Sequence, residues 1–350
     1  TLDAGWSFLP GGDFDPAAGS PEGDGWQTVR VPHDWAITGP FDPASPGNTG
    51  KLPWRGEGWY VRSFAVPKSG DGRQEVYADQ KVYLLFDGVM AFPTVYVNGQ
   101  KAGGWDYGYN SFWVDATPFI RRGEENTLAV HVDTRRHQSR WYPGAGIFRK
   151  VSLITVDSLH FEPWGVCVTT PEISARSGIV NVQSKVVNET ERPRTVTLIS
   201  EIFGPDGDSV ALQCSKSIVI QPGEVATIEQ TAEVETPKLW DVDSPNLYSV
   251  KTTIEEDGRS LDTVFSPLGF RTFEFTADDG FHLNGRRVQL KGVCLHHDQG
   301  PLGAVLLPRA IERQLEIMKE MGVNAVRTSH NVPAPELLEV CDRLGLLVVD

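Results

Sequence analysis

Apolar and polar residues alternate with a period of two along most of this chain, and helical spacing occurs only near its end. Residues 1–156 form short alternating runs broken by Gly, Pro, Asn and Asp, a pattern typical of an all-β domain. Within 92–104, Asn98-Gly99 predicts a tight hairpin turn because both residues tolerate positive φ. The alternation continues over 157–272, at a spacing that predicts a second, immunoglobulin-like β-sandwich.

From residue 273 onward the pattern changes to strand, helix, strand. Apolar residues at helical spacing predict one helix over 308–321, ended by Gly322, and a second over 334–344. Apolar runs before, between and after these helices predict three buried parallel strands. Because three such strands would leave an apolar sheet edge uncovered, we expect the chain to be part of a longer polypeptide.

Composition argues against several classes of partner. The net charge of -14, the pI near 5.0 and the absence of a Lys/Arg-rich run disfavour nucleic acid and anionic membranes. No apolar run approaches the roughly 18 residues that span a bilayer, and no signal segment opens the chain. We therefore expect a soluble protein that binds small or neutral molecules, in the cytoplasm or, after removal of a signal, in the periplasm or outside the cell.

The cysteines are predicted to be buried thiols. They are widely spaced, without a CxxC pair or metal-ligand spacing, so neither a disulfide framework nor a zinc site is expected. The four are Cys167, Cys214, Cys294 and Cys341.

Two predicted strands lead directly into side chains that handle protons. The segments are 291–298, which ends in His296, His297 and Asp298, and 324–330, which ends in His330. In a parallel βα barrel, catalytic groups lie at the carboxyl ends of the strands, so these side chains predict the rim of an active site. Adjacent strand residues point to opposite faces; His296 and His297 should therefore diverge, which argues against a zinc cluster.

Eight motifs occur in an order that carries further information: Val31-Pro32-His33-Asp34-Trp35, Gly58-Trp59-Tyr60, Val95-Tyr96-Val97-Asn98-Gly99, the run from Arg140 to Arg149, Leu283-Asn284-Gly285, Lys291-Gly292-Val293 with His296-His297-Asp298, Arg327-Thr328-Ser329-His330, and the run from Cys341 to Leu346. In these motifs the chain resembles glycoside hydrolase family 2, which includes β-galactosidases, β-glucuronidases and β-mannosidases. The resemblance implies a jelly-roll sugar-binding-like domain at 1–156, an immunoglobulin-like sandwich at 157–272, and the first strands and helices of a TIM barrel at 273–350.

The resemblance also implies an activity. Family members are retaining exo-β-glycosidases, in which two glutamates with carboxyl groups roughly 5 to 5.5 Å apart flank the glycosidic bond. Both glutamates follow later barrel strands, so we expect them beyond Asp350 and none of the catalytic pair in this chain. The expected substrate is an oligosaccharide with a terminal β-galactoside. No organic cofactor is expected, nothing supports a bound monovalent or divalent cation, and a homo-oligomer is left open.

Four residues acquire expected roles from the resemblance. His296 and His330 would hydrogen-bond sugar hydroxyls in the innermost subsite, where such bonds lower the barrier if they tighten in the transition state. Arg327 would keep the nucleophile ionised, since a neighbouring cation lowers a carboxyl pKa. Asp298 would orient a histidine or bind a substrate hydroxyl.

The loop before the Gly-Ile motif departs from the family pattern. Related galactosidases and glucuronidases commonly place a sugar-contacting Asp there, where this chain has Arg140 followed by Trp141 and Tyr142. The departure removes a hydroxyl acceptor and a ligand for the monovalent ion that some β-galactosidases use. We expect Arg140 and Trp141 to contact the substrate, with Arg140 binding an anionic or outer sugar. The alternative is that Arg140 packs on Trp141 for structural reasons only.

Two other functions remain open. One is a β-glucuronidase of the same family, and the other is a non-catalytic carbohydrate-binding fragment. The fragment would bind sugar on aromatic faces of the first domain, where four rings are close in sequence: Trp105, Tyr107, Tyr109 and Trp113.

Two polar motifs are expected to be structural. Asp34 should accept backbone hydrogen bonds in the turn that follows Pro32. Asn188-Glu189 matches the family's acid/base dipeptide, but it lies between sandwich strands and is expected to form a solvated turn without catalysis.

Overall fold

The computed structural model describes residues 1–68 and 80–350 of the chain. The first part is a β-sandwich, with a six-stranded antiparallel sheet in the order β2-β1-β3-β8-β5-β6 facing a three-stranded sheet in the order β7-β4-β9. Its strands are β1 (Trp6–Pro10), β2 (Gln27–Val29), β3 (Glu57–Ala65), β4 (Lys81–Phe86), β5 (Thr94–Val97), β6 (Gln100–Gly104), β7 (Phe112–Asp115), β8 (Glu125–Asp133) and β9 (Val151–Val156).

Alternation along the strands builds the core of this first sandwich. In β8, Leu128, Val130 and Val132 point inward and are fully buried, as the period of two requires. The turn between β5 and β6 has positive φ at Asn98 (50°) and Gly99 (79°), which confirms the predicted hairpin.

The second part is another antiparallel sandwich, as its strand spacing predicts. One sheet has the order β10-β11-β15, and the other has the order β13-β12-β16-β17 with β14 also paired to β12. The strands are β10 (Leu159–Ile173), β11 (Ser177–Asn188), β12 (Arg194–Phe203), β13 (Ser209–Cys214), β14 (Ile218–Ile220), β15 (Val225–Glu235), β16 (Tyr248–Glu256) and β17 (Arg259–Leu268).

The last part begins with a small antiparallel sheet and continues as a parallel one. Its elements are β18 (Phe273–Thr276), β19 (Gly280–Leu283), β20 (Arg286–Arg287), β21 (Gly292–Leu295), α1 (Pro308–Glu320), β22 (Ala325–Thr328), α2 (Pro335–Leu344) and β23 (Leu347–Val349). Strands β21, β22 and β23 are parallel and adjacent, which is the predicted start of a βα barrel. In the described part of the chain, neither helix is long and apolar enough to cross a bilayer.

Alternate residues of the parallel sheet face different surroundings. Val293, Val326 and Val348, which are in register, pack with apolar residues of α1 and α2. Arg327 and Val349 lie on the opposite face and are exposed. The helices therefore cover one face, and the face with Arg327 corresponds to the barrel interior.

The two sandwiches contact opposite ends of this parallel sheet. At the amino ends of the strands, the Trp240 indole N–H of the second sandwich donates to the carbonyl of Asp342 (2.8 Å), and Lys319 Nζ donates to the carbonyl of Val242 (2.6 Å). At the carboxyl ends, the backbone N–H of Leu306 donates a hydrogen bond to the carbonyl of Phe148 in the first sandwich (3.0 Å). Each sandwich thus orients one end of the sheet.

The cysteine prediction is wrong for two residues. Cys341 is buried in the helix layer, but Cys167 and Cys294 are exposed. Cys294 is in register with Arg327 on the open face of the parallel sheet, and Cys167 lies on an edge strand of the second sandwich. An alternating pattern shows that a residue belongs to a strand, but whether its face is covered depends on what packs there.

Asn188 is the last residue of β11 and Glu189 begins the connection to β12, so the pair lies between sandwich strands as expected, but it is not a solvated turn. The Asn188 side chain is fully buried, donates to the carbonyls of Arg192 and Ile220 (both 2.9 Å), and accepts from Thr190. Glu189 forms an ion pair with Lys81 of the first sandwich at 3.1 Å. Glu189 therefore joins the two sandwiches, while Asn188 stabilises the connection within the second one.

Substituting Asn188→Ala should lower the free energy of unfolding by about 2 kcal/mol, because the Ile220 carbonyl would stay buried without a donor. Urea denaturation followed by circular dichroism measures this change. Asn181→Ala is the matched control, since Asn181 is exposed and accepts one bond from Thr231. Equal losses in the two variants would contradict the assignment of Asn188 as a buried structural residue.

Candidate active site

Three aromatic rings meet at the carboxyl ends of β21 and β22. The Trp141 indole stacks on the His296 imidazole with ring centroids 5.1 Å apart and planes 24° apart. His330 lies 5.7 Å from the Trp141 ring and 6.0 Å from the His296 ring, centroid to centroid. We refer to Trp141, His296 and His330 as the three-ring cluster.

Strand register explains why the two histidines meet. Leu295 and Thr328 are paired in the parallel ladder, so the residues that follow them emerge at the same edge of the sheet. Trp141 comes from the first sandwich, in the long connection between β8 and β9. The cluster therefore combines two strand ends with a loop that is distant in sequence.

The imidazoles of the cluster have free hydrogen-bonding capacity. His296 and His330 are exposed, and among residues 1–68 and 80–350 neither accepts or donates a hydrogen bond. The Trp141 N–H is different, because it donates to the Tyr109 hydroxyl at 3.1 Å. The indole is thus held in place while both imidazoles can bind a ligand.

Positive charge surrounds His330. Partial desolvation by its surroundings, and then Arg327, His296 and Arg140, lower the pKa of His330. Arg140 is exposed, and within the described residues its guanidinium stacks on no ring and forms no ion pair. Both arginines therefore act electrostatically on His330, and Arg140 forms no cation–π contact with Trp141 within the described residues.

Asp298 lies two residues after His296, in the segment that follows β21. Burial is the main cause that raises the pKa of Tyr109 and of Tyr142. The Asp298 carboxylate raises both further. Asp298 and His296 line the same pocket at the strand ends. The candidate residues that the sequence identified, His296, His330, Asp298, Arg327, Arg140 and Trp141, are thus brought to one region.

His297 points away from His296, as predicted. Its imidazole is partly buried, donates from Nε2 to the carbonyl of Pro143 at 2.9 Å, and meets the Tyr109 ring edge-on at 4.9 Å. Burial lowers the pKa of His297 to about 3, so the ring is neutral at physiological pH. Within the described residues, no group of three or more His, Cys, Asp or Glu side chains could hold a metal ion.

Asp34 connects the loops that carry the cluster. Its carboxylate is 1 % exposed and accepts bonds from the backbone N–H groups of Ala36 (3.1 Å), Ala145 (3.1 Å) and Ala304 (2.9 Å), and from the Tyr142 hydroxyl (2.6 Å). The Ala36 bond confirms the predicted structural role. Burial raises the pKa of Asp34, while the four donors act in the opposite direction.

Sequence reasoning missed Arg149, the last residue of the Gly-Ile motif. Its guanidinium is buried and donates to the carbonyls of Tyr109 (2.8 Å) and Asp87 (3.2 Å) in the first sandwich. It also donates to the carbonyl of Val332 (3.0 Å), in the loop after His330. An arginine that directly follows the apolar pair Ile147-Phe148 is the signal that could have found it, but its acceptors are backbone atoms that no pattern reveals.

The fold and the cluster define a class: a protein with two β-sandwiches and the beginning of a βα barrel, whose site lies between the first sandwich and the barrel strands. Three family models match in order: the sugar binding domain of glycosyl hydrolases family 2 over residues 26–157, glycosyl hydrolases family 2 over 166–271, and the TIM barrel domain of glycosyl hydrolases family 2 over 275–350. The chain belongs to glycosyl hydrolases family 2.

Comparisons with individual relatives support the family assignment. The chain is 40% identical over 353 aligned residues to beta-galactosidase BoGH2A of Bacteroides ovatus, covering 100% of this chain and 40% of the relative. It is 31% identical to a beta-glucuronidase of Formosa agariphila, over 93% of this chain and 35% of the relative. A solved structure of a family 2 member from Bacteroides cellulosilyticus superposes with a TM-score of 0.91 at 34% identity, over 100% of this chain and 45% of that one. The chain thus spans less than half the length of these relatives.

Replacing Asp34 by Asn should lower the free energy of unfolding by about 2 to 4 kcal/mol. The Asn amide group is a donor, and it would lie against N–H and O–H groups that donate to a carboxylate in the native protein. Thermal and urea denaturation measure this loss. Asp42→Asn is the control, since Asp42 is exposed and accepts a bond from Ala44 in the same i to i+2 geometry. A loss at Asp34 no greater than that at Asp42 would contradict the four-bond assignment.

His297 predicts a dependence of stability on pH. Its native pKa of about 3 lies below the ordinary 6.5, so between these values the unfolded chain binds a proton that the native protein does not. Stability should therefore fall as pH drops, by about 1 to 2 kcal/mol from His297 alone between pH 7 and pH 5. Urea denaturation of wild type and His297→Gln at both pH values isolates the contribution. The same pH dependence in both proteins would show that His297 is not kept neutral.

Proposed function

We propose that the protein is a retaining exo-β-glycosidase, with terminal β-galactosides as its first candidate substrates. The substrate binds where the first sandwich meets the carboxyl ends of the barrel strands. Family membership and the beta-galactosidase relative support this proposal.

One observation carries it: His296 and His330 are exposed, free of protein hydrogen bonds in the described chain, and packed against one indole. Imidazole nitrogens can donate to or accept from sugar hydroxyls, and the indole supplies an apolar surface for the C–H groups of a sugar ring. A site that combines both is suited to a neutral pyranose. The Trp141 bond to Tyr109 keeps this arrangement in place before substrate binds.

The chemistry itself requires two carboxyl groups. In the proposed reaction one carboxylate attacks the anomeric carbon while a carboxylic acid protonates the departing oxygen, and water then hydrolyses the glycosyl-enzyme. We assign both groups to glutamates on later barrel strands, after Asp350. Arg327, which faces the barrel interior, would hold the nucleophile ionised, and Asp298 would bind a hydroxyl or orient His296.

A β-glucuronidase is the second candidate, and the charge around the cluster favours it. Arg140 and Arg327 both act on His330, and Arg140 has a free guanidinium in the described chain. Such a group can bind the carboxylate of an acidic sugar with two parallel hydrogen bonds. The beta-glucuronidase relative of Formosa agariphila is consistent with this alternative.

Hydrolysis of a panel of nitrophenyl β-glycosides by the full-length protein separates the candidates. We expect the highest kcat/KM for the galactoside, and Arg140→Gln should change it less than threefold because a neutral sugar offers no carboxylate. A preference for the glucuronide, with a tenfold or greater loss in Arg140→Gln, would replace the first candidate by the second. Turnover of no glycoside would contradict both and leave a carbohydrate-binding protein.

His330→Ala should lower kcat/KM about ten- to a hundredfold, because a hydroxyl would lose its partner in a desolvated site. The denaturation midpoint should stay unchanged, since the side chain is exposed. His282→Ala is a suitable control, as His282 contacts Asp279 on the β19 hairpin and not the cluster. Wild-type kinetics in His330→Ala would remove His330 from the subsite.

A further inference from the structure

We propose that Tyr107 forms the binding surface for the leaving group of the substrate, taking a sugar or aromatic ring that stacks on its phenol. This inference rests on the proposed glycosidase function and adds to it the element that selects the leaving group. Neither the strand ends nor the family motifs include Tyr107, which lies between β6 and β7.

A continuous line of rings leads from the three-ring cluster to Tyr107. The Trp141 N–H donates to the Tyr109 hydroxyl at 3.1 Å, and the Tyr107 ring meets the Tyr109 ring at 5.6 Å between centroids. Tyr109 is 2 % exposed, whereas Tyr107 is 44 % exposed. Tyr107 is therefore the accessible end of a buried connection that begins in the sugar site.

The loop around Tyr107 is firmly held. The carbonyl of Tyr109 accepts a bond from the Arg149 guanidinium at 2.8 Å, and the same guanidinium donates to the carbonyl of Val332. Val332 is exposed and follows His330 by two residues. Arg149 thus ties the Tyr107 loop to the segment that follows His330, so the exposed Tyr107 ring lies on a loop that is hydrogen-bonded to the barrel side of the site.

This arrangement suits a stacking partner. Exposed tyrosines present a large rigid face with few rotatable bonds, and pyranose or phenyl rings bind such faces. An exo-acting site holds the terminal sugar in its innermost part, so the ring beyond the cleaved bond lies nearer the entrance. The tyrosine at the exposed end of the ring line is placed to meet that second ring.

The other exposed aromatic residues in or next to this loop are less suited. Trp105 is 43 % exposed, nearly the same as Tyr107, but its ring stacks on Phe112 and has no ring contact with the cluster or with Tyr109. Trp113 is 39 % exposed and contacts Tyr83. Trp105 therefore serves as a control that matches Tyr107 in exposure but lacks the connection.

The test compares two substrates of the sugar that the nitrophenyl panel identifies. The nitrophenyl β-glycoside has a ring as its leaving group, whereas the β-glycosyl fluoride has a single atom that cannot reach Tyr107. Full-length Tyr107→Ala should lose about five- to tenfold in kcat/KM on the nitrophenyl glycoside and less than twofold on the fluoride. Tyr107→Phe, which keeps the ring, should behave as wild type on both.

The outcomes separate this inference from the proposed function. Failure of the wild-type protein to cleave either substrate would contradict the glycosidase proposal. If wild type cleaves both, three results would overturn the role of Tyr107: no change in Tyr107→Ala, equal losses on the two substrates, or the same selective loss in Trp105→Ala. A selective loss confined to Tyr107→Ala, with recovery in Tyr107→Phe, supports it.

Discussion

Burial of the Asp34 carboxylate is the constraint on which the arrangement of this site depends. A buried charge without hydrogen-bond donors costs several kcal/mol, so the surrounding chain must supply them. Here they come from three segments: the turn after Asp34, the Tyr142 to Ala145 loop, and the Ala304 region that follows the first barrel strand. The first sandwich and the barrel therefore satisfy Asp34 only when they are correctly docked.

This docking explains why the candidate site lies between domains. Trp141 and Tyr109 reach the strand ends from the first sandwich, while His296 and His330 arrive from the parallel sheet. Arg149 reinforces the same junction through backbone carbonyls on both sides. The chain as a whole is acidic, yet Arg140 and Arg327 surround His330 with positive charge, so net charge did not reveal the local electrostatics.

Much of the fold follows from local patterns. The hairpin at Asn98-Gly99, both helices and the three parallel strands were predicted because turn chemistry and hydrophobic periodicity depend on neighbouring residues. The divergence of His296 and His297 was predicted for the same reason. The errors concern surroundings: Cys294 and Cys167 are exposed, and Asn188 is buried by residues of the second sandwich that a turn pattern does not indicate.

The sequence by itself determined the fold class, the family and the strand ends that carry His296 and His330, since periodicity, turns and motifs are written in adjacent residues. Only the tertiary structure decided that Trp141 stacks on His296, that Asp34 joins three segments, and that Tyr107 is the exposed end of a line of rings. The physical reason is distance along the chain. These contacts join residues far apart in sequence, and many of the partners are backbone N–H and C=O groups, which every residue carries and no sequence pattern distinguishes.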